Sequence, residues 1–207
     1  MIESGTTRNP LLSDAPEVWD AAVRAAGPAS LLVLIESRMG VVLRARLSAE
    51  DVLQEALLAA WQERTRFVWK GQRSFRNWLI TVIEHRLLDA VDRETALKRG
   101  GGAAPVPLAC GSRGVPSALA LTTTPSRVAQ YREQAAAMRS ALAQLPDEVR
   151  DVVRLRLFEQ WEISRIASEL GIGEAAVLHR FRRGAALYRD RLTARLSLRT
   201  RREAGSR

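Results

Sequence analysis

Between Ala96 and Pro125 the sequence abandons the helical periodicity that governs it elsewhere. Gly100, Gly101, Gly102, Pro105, Pro107, Gly111, Gly114 and Pro116 crowd this stretch, and Thr122, Thr123 and Thr124 close it. A glycine costs a helix interior about 1 kcal/mol and a proline about 3 kcal/mol, so no helix runs through such a segment. On either side, apolar residues recur at three- and four-residue spacing with no sustained alternation. The expected fold is therefore all-α, with two small helical domains joined by a flexible linker. The 207 residues divide into an N-terminal extension (1–27), a first domain (28–95), the linker (96–127), a second domain (128–197) and a basic tail (198–207).

In the first half, residues 1–15 read as frayed, Glu17 to Ala26 as a short helix, and Ala29 to Arg46 as a longer one. Leu31, Leu34, Ile35, Met39 and Val42 share one side of that longer helix. Ser48 begins the next. With Asp51 three residues on, it makes a capping-box-like start, and Glu50 and Asp51 sit where the helix dipole favours negative charge. This helix buries Leu53, Leu57, Ala60 and Trp61 and leaves Asp51, Gln54 and Glu55 on its polar side. A loop, Thr65 to Arg73, precedes a third helix for which Ser74 is the expected cap. Phe75, Trp78, Leu79, Val82, Leu87 and Leu88 form its apolar set.

Charge and composition narrow the function. The net charge of +9 and pI near 11.1 favour a polyanionic partner, because Lys and Arg neutralise phosphates and release counterions. Residues 129–207 carry +6 of that charge, which makes the C-terminal half the better duplex binder. Cys110 is the only cysteine, so there is no disulfide framework and no thiolate cluster for zinc. The longest strongly apolar run, Leu31 to Ile35, is far too short for a bilayer, and no basic-then-apolar leader opens the chain. A soluble cytoplasmic protein without membrane association is expected. No catalytic set, metal site or cofactor motif emerges. Asp89, Asp92 and Glu94 would be the carboxylates of a nucleic-acid hydrolase, but neighbouring Arg86 and Arg93 make a salt-bridged surface the better reading.

The C-terminal half holds a helix-turn-helix pattern from Ile163 to Val177. Small Ala167 lets two helices approach, Gly171 four residues later supplies the turn, and Ile166, Leu170, Ile172, Val177 and Phe181 complete a small core. An ordinary helical hairpin capped by that glycine is the plainer alternative. In the helix-turn-helix reading, Glu174, Ala175, Leu178, His179 and Arg182 face a major groove. Arg180, Arg183 and Arg189 are then placed for phosphates. Gly184, inside the second helix, costs about 1 kcal/mol relative to alanine.

The first half offers a different chemistry. Thr65-Arg66-Phe67-Val68-Trp69-Lys70-Gly71-Gln72-Arg73 interleaves rings and cations, which suits an unpaired base stacked on an aromatic surface with its backbone held by charge. Phe67 and Trp69 folded onto the core is the competing reading of the same residues.

Glu50-Asp51-Val52-Leu53-Gln54-Glu55, then Phe75-Arg76-Asn77-Trp78-Leu79, then Arg86-Leu87-Leu88-Asp89 with Arg93, resembles region 2 of the extracytoplasmic-function (ECF) sigma factors of the sigma-70 family. Leu145-Pro146, Arg150, the helix-turn-helix and Val177 to Leu192 resemble region 4 of the same proteins. The resemblance implies an RNA polymerase sigma factor, not an enzyme, that directs promoter-specific transcription initiation. Its implied partners are core RNA polymerase (beta-prime clamp helices and beta flap), promoter DNA and, as a further candidate, an anti-sigma factor. Asp51, Gln54 and Glu55 would bind the clamp helices. Phe67, Trp69, Lys70, Arg73, Arg76, Asn77, Thr81 and His85 would recognise and melt the -10 element. Glu174, Ala175, Leu178, His179, Arg180, Arg182 and Arg183 would read or grip the -35 element. The chain departs from many relatives at Ile83-Glu84-His85, where Ala-Arg-Asn is common, and at Leu178, where lysine is frequent. The alternative function is a helix-turn-helix repressor or activator that binds duplex DNA without polymerase, usually as a dimer on a palindrome.

Overall fold

The computed structural model describes residues 9–13, 15–98 and 123–204, and among these every regular element is helical. Of the expected linker, 96–127, the described ends belong to helices that reach Lys98 and restart at Pro125, while residues 99–122 with Cys110, Asp14 and the chain's first eight and last three residues lie outside the described residues. Two compact units divide the chain, Met1–Gln130 and Tyr131–Arg207.

The N-terminal unit is built from α1 (Pro16–Ala26), α2 (Pro28–Arg38), a short α3 (Val41–Arg44), α4 (Ala49–Glu63) and α5 (Gln72–Lys98). Proline opens α1 and α2, where its missing N–H is one the first turn would leave unbonded anyway. Gly27 between them sits at φ 75°, the left-handed conformation that a side chain resists. α5 packs on α1 and α4, and α2 packs on α4. Trp19, Leu31, Leu34, Ile35, Ala60, Phe75, Leu79 and Ile83 are all but inaccessible in the resulting core. Asp20 is buried there as well, held by Arg24 at 3.1 Å and by Arg127. Two cations offset the cost of keeping that carboxylate out of water.

Several local expectations change. The helix expected from Ala29 to Arg46 breaks, because Met39 and Gly40 are extended and the chain restarts as α3. Met39 stays buried, but Val42 lies on the new phase and is 46 % exposed. Ser74 does not cap α5. The helix already begins at Gln72, after Gly71 turns the chain at φ 96°. Leu88, expected inside, is exposed, while Ile83 is fully buried. The N-terminal segment is not frayed throughout: Asn9 caps a 3-10 turn, Pro10–Leu12, and Leu11 is buried. The capping box, by contrast, forms as read. The Asp51 N–H donates to Ser48 Oγ at 3.1 Å, and the Ser48 N–H donates to the Asp51 carboxylate at 3.3 Å.

α6 (Pro125–Ala143) leads into the C-terminal unit, which holds α7 (Asp147–Val153), a π turn (Arg154–Phe158), α8 (Ile163–Leu170) and α9 (Glu174–Ala204). The Arg150 guanidinium donates to the carbonyls of Leu142, Ala143 and Leu145, closing the end of α6. α9 packs on α7 and α8. Gly184 is the point of closest approach, since a Cβ there would lie 2.6 Å from Val153 Cγ2 and 3.0 Å from Val149 Cβ. The helix tolerates its glycine because the packing needs one. α9 also runs past the expected end near Ser197 as far as Ala204, through a sequence of good helix formers that meets no glycine until Gly205.

Candidate nucleic-acid interface

The helix-turn-helix is assembled by a compact core of Val152, Leu155, Ile166, Ala167 and Val177. Trp161, Ile163, Leu170, Ile172 and Phe181 pack around it. Gly171 ends α8 in the left-handed conformation, φ 62° and ψ 33°, with its N–H donated to the Ala167 carbonyl. The Ile172 N–H reaches the same carbonyl at 3.1 Å, and α9 starts two residues later. Because Val177, Gly184 and Tyr188 are buried on one face of α9, the 3.6-residue period turns Ala175, Leu178, His179 and Arg182 outward, while Glu174 is exposed as the helix's first residue. All five are exposed. Arg180 is half-buried at the flank, and Arg183 leans back to Glu148 of α7 at 2.6 Å. Arg165 of α8 stacks on the Trp161 ring, 3.7 Å from its centroid.

In the N-terminal unit the α4–α5 loop closes over a cluster of rings. Phe67 stacks on Trp78 with centroids 4.6 Å apart and planes at 19°, and Trp69 lies 5.7 Å from Phe75. Phe75 in turn meets the edge of Trp19, which meets Trp61. The reading in which Phe67 and Trp69 fold onto the core therefore describes this structure, and both rings are half-buried. Val68 between them is 69 % exposed at the loop tip, with Thr65, Arg66 and Lys70 exposed beside it. Along α5, Arg73, Asn77, Thr81 and His85 follow at four-residue spacing and form one exposed stripe.

Arg76 is separate from that stripe. Its guanidinium donates to the Ala26 carbonyl and to Ser30 Oγ at 2.9 Å, tying α5 to the α1–α2 junction. Burial pushes its pKa below the ordinary arginine value. Glu84, the carboxylate in the stretch that departs from relatives, pairs with Arg38. Asp89 pairs with Arg86 at 3.3 Å, as the salt-bridged reading expects, whereas Glu94 pairs with Arg46 at 3.2 Å, a partner that reading did not name. Among the described residues, no group of three His, Cys, Asp or Glu side chains could hold a metal ion. Nor is any single helix among them long and apolar enough to cross a membrane.

On α4, Asp51 and Gln54 are exposed and Glu55 is half-buried, all on the side away from Leu53 and Leu57. The Asp51 carboxylate is already occupied by its own helix cap. The sequence reading missed Val68 as the outermost loop side chain and Asn9 as a contact of the loop. Asn9 Nδ2 donates to the Phe67 carbonyl at 2.9 Å. Asn-Pro, a turn-initiating pair, was the only local signal for the latter.

Comparison with known proteins agrees with this division. Residues 31–96 match the family model of sigma-70 region 2, and residues 135–186 match that of sigma-70 region 4. The ECF RNA polymerase sigma factor SigL of Mycobacterium tuberculosis is 33 % identical over 132 residues, covering 64 % of this chain and 67 % of that protein. The probable RNA polymerase sigma factor RfaY of Xanthomonas campestris pv. campestris is 28 % identical over 148 residues, covering 72 % of this chain and 35 % of that protein.

Proposed function

The chain belongs to the ECF sigma factors of the sigma-70 family, and on that premise we propose how its surfaces divide the work of transcription initiation. As an RNA polymerase sigma factor it binds core polymerase and promoter DNA, and its action is to direct initiation rather than to catalyse a reaction. It does so in the cytoplasm, beside the polymerase.

The polar side of α4 is the core-polymerase surface, with Gln54 and Glu55 making the contacts. Asp51 contributes chiefly by starting the helix. The loop tip and the α5 stripe meet the -10 element. Lys70, Arg73, Asn77, Thr81 and His85 hold the strand, while Val68 and the rims of Phe67 and Trp69 form the wall against which an extruded base rests. Extrusion costs a few kcal/mol of unstacking, offset by these contacts, so binding alone drives opening. Arg76 supports this surface from behind. On α9, Glu174, Ala175, Leu178, His179 and Arg182 read the -35 duplex, with Arg180 and Arg183 flanking for phosphates. The observation that carries this reading is the exposed face of α9 set opposite buried Val177 and Gly184, on the helix that follows the Gly171 turn.

The test is co-purification of the tagged protein with core polymerase, comparing wild type with Gln54→Arg plus Glu55→Arg, a pair that leaves the Ser48–Asp51 cap intact. Recovery of the polymerase subunits with wild type and their loss with the double variant is the expected result. A wild-type protein that ignores core polymerase yet shifts duplex DNA by itself would establish the repressor reading instead.

A further inference from the structure

The melting loop is not held by its own residues alone. Asn9 Nδ2 donates to the Phe67 carbonyl at 2.9 Å, across 58 positions of sequence, with the Arg64 carbonyl 3.5 Å away. Its Oδ1 meanwhile accepts the Leu11 N–H at 3.0 Å. Leu11 is 1 % exposed, so an apolar pin lies two residues from the polar tie. Pro10 between them fixes φ and removes most of the freedom with which tie and pin could part. At the far end of the loop, Gln72 Nε2 donates to the Ala22 carbonyl at 2.8 Å. Both stems of the loop are thus fastened to the chain's first 26 residues. The loop tip between them is exposed at Val68.

We infer that Asn9 is a positioning residue for promoter opening: it fixes the Phe67 backbone, and so presents Val68 and the rim of Trp69 in one geometry to the unpaired strand. This rests on the proposed role of the loop. A loop held in its binding shape before DNA arrives avoids ordering its backbone at the moment of capture. Asn9 would then act in promoter opening through the Phe67 backbone.

Asn9→Asp separates the tie from the fold, because it keeps an oxygen to cap the 3-10 turn while the N–H aimed at Phe67 is replaced by a carboxylate oxygen that cannot donate to that carbonyl. Full-length wild type and Asn9→Asp are compared with Val68→Asp, which places a carboxylate on the loop tip. Three readouts apply: amide hydrogen exchange over residues 66–70, recovery of core polymerase, and opening rate. The last is followed by 2-aminopurine fluorescence on a promoter that the wild-type holoenzyme selects from randomised DNA. For Asn9→Asp, exchange over 66–70 rises and opening slows by about fivefold each, the scale one net hydrogen bond supports, while polymerase recovery is unchanged. Unchanged exchange in Asn9→Asp overturns the tie. Raised exchange with normal opening, while Val68→Asp opens poorly, overturns the positioning role and leaves the loop's function standing. Normal opening in both variants removes the loop from promoter melting, and the inference falls with it.

Discussion

The two units hold their proposed DNA-facing residues by opposite means. In the C-terminal unit the proposed reading face belongs to the same helix that supplies the core: Val177, Gly184 and Tyr188 face inward, and Ala175, Leu178 and Arg182 have no choice but to point outward. In the N-terminal unit the corresponding surface is a loop whose rings rest on Phe75 and Trp78 and whose ends are bonded to Asn9 and Ala22. The difference matches the two tasks. A duplex groove has a fixed shape and is met by a rigid rod, whereas an unpaired base must be enclosed, which a helix face cannot do. It follows that the helix-turn-helix can be disturbed only through its packing, and the loop through packing or through remote hydrogen bonds.

The sharpest test of that contrast is Phe75→Ala. The ring touches Trp19, Phe67, Trp69 and Trp78, so its removal should cost about 3–5 kcal/mol in urea unfolding of the N-terminal unit and loosen the loop with it. Duplex binding by the C-terminal unit should be untouched, and an equal loss there would break the separation. Next in size is Gly184→Val, which drives a branched side chain into Val153 and Val149 and should destabilise the C-terminal unit by about 1–3 kcal/mol. Adding Val153→Ala should return part of that loss, a coupling that a double-mutant cycle measures. Arg182→Ala should weaken -35 duplex binding by about 1–2 kcal/mol in a titration at fixed salt, and Arg183→Ala by less, since its guanidinium is engaged with Glu148. Equal effects would mean that Arg183 leaves Glu148 for a phosphate on binding.

The narrowest expected effect is confined to alkaline pH and is absent at neutral pH. Burial under Phe158 pushes the Tyr188 phenol up to about 12 from its ordinary 10. Below pH 10 the folded and unfolded chains are both protonated there, and the contribution is fully present. Between pH 10 and 12 the unfolded chain loses the proton first, so stability falls as pH rises. Tyr188→Phe should flatten that part of the pH profile in urea unfolding.

The helix-turn-helix was legible because its signal is local: Ala167, Gly171 and Val177 span eleven positions, and each has one steric job. The Ser48–Asp51 cap was legible for the same reason. What escaped was long-range or a matter of phase. Nothing in the sequence announces that Arg76 will spend its hydrogen bonds on a carbonyl 50 positions away, so it read as a DNA contact beside Asn77. Gly40 breaks the expected Ala29–Arg46 helix where the apolar spacing alone runs through, and Val42 changes sides as a result. Gly184 looked like a cost until Val153 appeared opposite it. Phe67 and Trp69 were read as rings of the loop between α4 and α5, but the sequence could not choose between stacking outward and stacking inward, the arrangement observed.

The length of α9 has a mechanical consequence. One uninterrupted helix from Glu174 to Ala204 is a rod of roughly 46 Å at 1.5 Å per residue, far longer than the groove contact needs. A tilt of about 5° around its N-terminal end would swing the other end through about 4 Å. The far end is therefore a pointer that magnifies small changes in how the helix seats in DNA, and a grip there has leverage over how it seats.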